Sequence, residues 1–156
     1  MEGLSSSLSI EEFKDYLYQA YNNSNEQCFD QLQEYYSCGN CMYLAIAFHR
    51  LYGYSIEAAI VDEVDGSFIG HAWARTSSGQ CIDIMGTYDD SEEVELVSFG
   101  NRVVTNLDES NLKSYFECNP DFETDIEKAL FAAKCIKRKL NMEHSLALIS
   151  ERTPVP

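Results

Sequence analysis

Cys41, His71 and Asp83 are three residues of this chain whose types and settings could do chemistry together. Cys41 begins an apolar run that extends to Tyr52. The N–H groups and dipole at the start of a helix favour negative charge, and so favour a thiolate at that position. His71 would take up and return a proton near neutral pH, and Asp83 would orient its ring. The chemistry is thiol attack on a carbonyl, with Cys41 as nucleophile and His71 as general base. Each residue alone has a plainer reading: a small apolar thiol, a histidine satisfied within a sheet, and an acid near a turn.

Hairpin geometry joins two of the three. Ser77-Ser78-Gly79 suits a three-residue loop, with Gly79 in the left-handed third position. Thr76 then faces Gln80, His71 pairs with Met85, and Trp73 pairs with Asp83. His71 and Asp83 become diagonal neighbours on one face, about 7–8 Å apart and within reach of a hydrogen bond. A loop one residue shorter or longer would send Asp83 to the opposite face. The other histidines fit less well. His49 lies eight residues along the same helix, about 12 Å from Cys41, and His144 has no signal around it.

The surrounding pattern supplies the elements. Ser9 and Glu12 form a capping box, with Leu8 and Phe13 as a hydrophobic staple. A helical stripe of Phe13, Tyr16, Leu17, Ala20 and Tyr21 follows. Asn22 to Asn25 breaks it, a short helix covers Phe29 to Tyr36, and Ser37 to Asn40 turns. Cys41 to Tyr52 is apolar on nearly every side, which predicts a buried helix, and Gly53 suits its C-terminal cap. Strands are predicted at Ser55 to Glu63, Phe68 to Thr76, Gln80 to Met85 and Val94 to Phe99, with Asp65-Gly66 turning the first pair. Asp108 to Phe116 and Thr124 to Met142 read as helices, the second with Thr124 and Glu127 as a capping box. Residues 153–156 read as a loose tail. The order predicts one α+β domain over residues 1–156: a buried helix packed on an antiparallel meander and flanked by helices.

Gly39-Asn40-Cys41 opening an apolar helix, then Gly53, Gly70-His71-Ala72-Trp73 and Ile82-Asp83, resembles the transglutaminase-like branch of the papain-like cysteine peptidase superfamily. The resemblance covers about residues 38–86. It implies that fold and the same roles: Cys41 nucleophile, His71 base, Asp83 orienter. The chain departs from the papain pattern at Tyr35, six residues before Cys41, where such enzymes keep a glutamine as oxyanion donor. Gln33, Tyr35 and Tyr36 are the candidate replacements. The calcium loop of the crosslinking transglutaminases is missing from the sequence. Proteases, glycanases, acyltransferases and inactive binding modules share the family, so the resemblance implies thiol-mediated attack on an amide, isopeptide or thioester carbonyl and no narrower reaction.

Composition bounds the partners. The chain has 156 residues, one domain's length, with 45% hydrophobic residues and a net charge of −15. Seventeen acids and three bases fall in the first hundred residues, most simply a solvated acidic surface and, on a sharper reading, one that holds a basic protein or peptide partner or substrate. The same charge argues against direct binding of nucleic acid or of an anionic membrane. The first residues lack a basic and an apolar signal region, and the chain lacks an 18-residue apolar run, so a cytoplasmic location is expected, with the six cysteines reduced. Size and the lack of targeting also suit a phage, plasmid or effector protein acting on a host component, by association alone. The oligomeric state is open.

Other readings stay on the table. Cys38, Cys41, Cys81 and Cys118 could form a zinc site, though a single C-x-x-C is weak support and no metal or cofactor is expected. A redox C-x-x-C lacks the βαβ setting it needs. An inactive module could keep the constellation as packing, or act as an acidic inhibitor of a basic protein. Cys28, Cys118 and Cys135 read as buried apolar residues and Cys81 as packing. Lys134, Lys137, Arg138 and Lys139 read as favourable charge near a helix C-terminus.

Overall fold

Ser9 caps the first helix, α1 (Ile10–Tyr21), in both directions. Its hydroxyl accepts from the Glu12 N–H at 3.1 Å, and the Glu12 carboxylate accepts from the Ser9 N–H at 3.4 Å. The computed structural model describes residues 4–5, 7–37, 39–89, 102–113 and 119–152. The helix α2 (Glu26–Ser37) begins three residues earlier than expected, because Asn25 turns its side chain to accept from the Cys28 N–H at 3.1 Å. Gly39 takes φ +95° between α2 and the next helix, α3 (Cys41–Tyr52). Gly53 closes α3 in the left-handed conformation, φ +70°, with its N–H on the His49 carbonyl.

The chain then makes four strands of a meander: β1 (Ser55–Glu63), β2 (Gly66–Arg75), β3 (Cys81–Asp83) and β4 (Gly86–Tyr88). A further strand, β5 (Arg102–Leu107), adds to the free edge of β1, so the antiparallel sheet runs β4-β3-β2-β1-β5. Among the described residues the helices α4 (Glu109–Lys113) and α5 (Phe122–Arg152) complete an α+β fold of five helices and five strands.

The alternation of strand side chains decides the core. Ile56, Ala58, Ile60, Ala72, Ala74 and Ile82 all point into one cluster with Leu44, Ile46 and Phe48 of α3. Each large side chain among these contributes about 1.5–3 kcal/mol through burial. On its other side α3 packs on α5, while α1 packs on α2 and α5. Arg50 pins the far end of α3 by gripping Glu109 of α4, with its closest contact at 2.6 Å, and reaching Glu123 of α5 at 3.5 Å.

Several expectations shift. The first hairpin turns at Val64-Asp65, with Gly66 already paired to Glu63 at φ +146°. The third strand stops at Asp83 instead of Met85, because Asp83 Oδ1 accepts the Met85 N–H at 2.8 Å and folds the chain into β4. Thr124 is no cap: α5 starts at Phe122, where Asn119 Oδ1 accepts the Asp121 N–H. The same helix continues ten residues past Met142, since no glycine or proline stops it there. The basic cluster Lys134 to Lys139 therefore sits mid-helix, not near a C-terminus, and three of its lysines lie over aromatic rings, Lys139 at 4.2 Å from Phe29. Cys28 and Cys135 are half-buried instead of buried. The strand expected at Val94 to Phe99, the end of the helix expected to reach Phe116, Cys38, Cys118 and the tail at 153–156 lie outside the described residues. Among the described residues no helix is long and apolar enough to cross a membrane.

Candidate active site

The β2–β3 hairpin brings His71 to Asp83. Gly79 takes φ +89° in the loop, and Thr76 donates its N–H to the Gln80 carbonyl at 2.7 Å. Arg75 then pairs with Cys81 and Ala74 with Ile82, the register that the loop glycine implies. His71 Nε2 lies 2.9 Å from Asp83 Oδ2. Since the carboxylate can only accept, Nε2 carries the proton and Nδ1 is the nitrogen left for other work.

Asp83 is committed on both oxygens: one holds His71, and the other holds the Met85 N–H that turns the chain. Its orientation is therefore built into the backbone. Sequence reasoning missed two supports. One is a β-bulge at Gly70, immediately before His71, where the pairing shifts between Ala59 and Ile60. Bulges re-aim the neighbouring side chain and increase local twist. The other is Glu57, which binds Trp73 and Arg75 beside the site.

Cys41 arrives from α3. It shares a narrow space with Trp73 and Asp83, lined also by Tyr36, Leu44 and Ala72. No water-sized volume is available there: the figure is 0 Å³. His71 is fully buried, and Cys41 and Asp83 are each 4% exposed. Nδ1 of His71 makes no hydrogen bond of good geometry among the described residues. The Cys41 thiol is nonetheless close enough to favour the charged ring.

The electrostatics of His71 follow from a contest. Burial is the largest single influence and opposes the charged ring. The Asp83 carboxylate, which accepts from Nε2, and the Cys41 thiol beside the ring together outweigh it and raise the histidine from 6.5 to about 9. The ring is thus protonated at neutral pH, as an imidazolium between two anion-forming groups.

The start of α3 offers further stabilisation. Asn40, at its N-cap, makes no capping bond and instead donates Nδ2–H to the Tyr35 carbonyl at 3.1 Å. The Tyr43 N–H already donates to the Asn40 carbonyl at 3.2 Å, which leaves the Cys41 and Met42 N–H groups without an acceptor inside the helix, as at any helix start. Of the tyrosines considered as oxyanion donors, Tyr36 lines the same space as Cys41; burial above all pushes the hydroxyls of Tyr35 and Tyr36 up, Tyr35 to about 12, so both keep their protons. His49 is used structurally, with Nδ1 2.7 Å from the Tyr54 carbonyl, and His144 is exposed on α5. Cys81 is fully buried with Ala59 and Trp73. Among the described residues no three His, Cys, Asp or Glu side chains group so as to hold a metal ion.

No protein-family model, curated protein or solved structure matches the chain.

Proposed function

We propose that this protein is a cysteine-dependent hydrolase or acyltransferase of the papain/transglutaminase-like fold, working through Cys41, His71 and Asp83. The observation that carries the reading is the arrangement at His71. One ring nitrogen is held by Asp83 at 2.9 Å, and the thiol of Cys41, at the start of a buried helix, acts on the same ring.

The chemistry follows from those positions. The imidazolium of His71 already holds on Nδ1 the proton that Cys41 gives up, and the thiolate sulfur attacks the carbonyl carbon of an amide, isopeptide or thioester. The oxyanion forms near the N–H groups of Cys41 and Met42 at the start of α3. As the tetrahedral intermediate collapses, the bond to the leaving group breaks and His71 returns its proton to that group. An acyl-thioester on Cys41 remains. Water or an amine then attacks it, giving its proton to His71, and the sulfur leaves as thiolate. Asp83 keeps the ring oriented and offsets its positive charge throughout. The acidic first hundred residues favour a basic protein or peptide substrate. Turnover requires side chains over Cys41 to move, because the resting space admits no water.

The burial of Cys41 in a space too narrow for water is the observation favouring a second reading, an inactive binding or inhibitor module on the same fold. A small activated thioester separates the two. Intact-mass analysis should find an acyl group on Cys41 of the native protein, less of it in His71→Ala and none in Cys41→Ala. If no adduct forms on the folded protein while its unfolded thiols react, the module reading wins.

A further inference from the structure

A buried carboxylate lies just outside the thiol site, and the chemistry above does not use it. Glu57 is 3% exposed and faces Trp73 across the β1–β2 ladder. Its Oε1 accepts from Trp73 Nε1 at 2.9 Å and from Arg75 Nη2 at 2.7 Å, and its Oε2 accepts from Arg75 Nε at 2.9 Å. Arg75 reaches further, with Nη1 on the Gly79 carbonyl at 2.6 Å. A carboxylate this deep persists only when paired and fully hydrogen-bonded, and an apolar side chain would fill the space without that demand. The arrangement therefore calls for a purpose beyond packing.

The Trp73 indole supplies one. It stacks on the His71 ring, centroids 6.0 Å apart and planes 29° from parallel. We propose that Glu57 is a positioning residue for the thiol site. By tethering the indole it fixes the plane against which His71 lies, and by gripping Arg75 it holds the turn that keeps Asp83 in register. This rests on the thiol-site reading above. An indole whose N–H is bound to a carboxylate presents an electron-rich face, and a cationic imidazole stacked on it is stabilised. The same stacking resists rotation of the ring, so Nε2 stays on Asp83 and Nδ1 stays open to Cys41.

The test is an NMR titration of the His71 ring, with thermal melts, in the native protein and in Trp73→Phe, Glu57→Gln and Cys41→Ala. Trp73→Phe keeps an aromatic ring and leaves Glu57 paired with Arg75, so its fold should survive. Its His71 midpoint should fall by about 0.5–1 pH unit. Glu57→Gln keeps an acceptor for the indole but loses the charge, and should shift the midpoint the same way by less. If melting temperatures fall in both variants while the His71 midpoint stays put, Glu57 merely closes the hairpin and the proposal is overturned. Should Glu57→Gln fail to fold, Trp73→Phe decides by the same criterion. Cys41→Ala separates the two layers of argument. A midpoint that ignores the loss of the thiol sinks the thiol-site reading itself. One that responds to Cys41→Ala and ignores Trp73→Phe sinks only the role of Glu57.

Discussion

At the scale of residues, His71 is where burial and partnership compete, and that competition makes its charge testable through stability. Its proton affinity is higher folded than unfolded, 6.5 rising to about 9. The stabilisation is therefore fully present below about pH 6.5 and disappears as pH rises through about 9. Asp83→Asn keeps the side chain's shape and removes the charge that holds the ring. We expect it to destabilise the protein by about 1–2 kcal/mol at pH 6 and by much less at pH 10. Melts of both proteins at the two pH values check this, and an equal loss at both would show that Asp83 serves only the turn into β4.

At the scale of elements, the part of the site legible in the sequence was the part governed by short-range rules. Gly79 announced the loop, the loop set the register, and the register joined His71 to Asp83. Cys41 at a helix start and Gly53 at its end followed from the apolar run between them. Glu57 was not legible. A turn at Asp65-Gly66 would set Trp73 opposite Ala58, whereas the observed turn and the bulge at Gly70 set it opposite Glu57. Neither a one-residue shift of a turn nor a bulge leaves a clear periodic signal. Met85 was misplaced for a related reason: the side chain of Asp83 overrode the strand pattern. The hairpin argument has a direct check. One alanine inserted between Ser77 and Ser78 should slip the register and free His71 from Asp83. Its titration midpoint should drop while helix content by circular dichroism holds, and an unchanged midpoint would contradict the register's role. Gly53→Ala tests α3 alone: there is open space for the methyl group, so the cost is conformational, about 1–2 kcal/mol at φ +70°. A chemical-denaturation midpoint that does not move would show that the cap is not needed.

At the scale of the whole molecule, the sheet and α5 enclose α3, so the candidate nucleophile is carried by the most buried helix of the fold. The outer part of α5 behaves differently. Residues 141–150 are all exposed, with Met142, Leu146 and Ile149 each more than 60% open. An isolated run of that length is marginal in water. Amide exchange should be fast from Glu143 onward and slow from Ile126 to Ile136, where α5 is packed. Uniform protection along the helix would mean that its outer turns are covered in solution. The charge of −15 adds self-repulsion, so moderate salt should raise the melting temperature at pH 7.

The central claim is that Cys41, His71 and Asp83 form one electrostatic unit. Its most direct test is the titration of His71 by NMR in the native protein and in Cys41→Ala. A coupled site predicts a native midpoint near 9 that falls clearly when the thiol is removed. A native midpoint at or below 6.5, or one indifferent to Cys41→Ala, would contradict it.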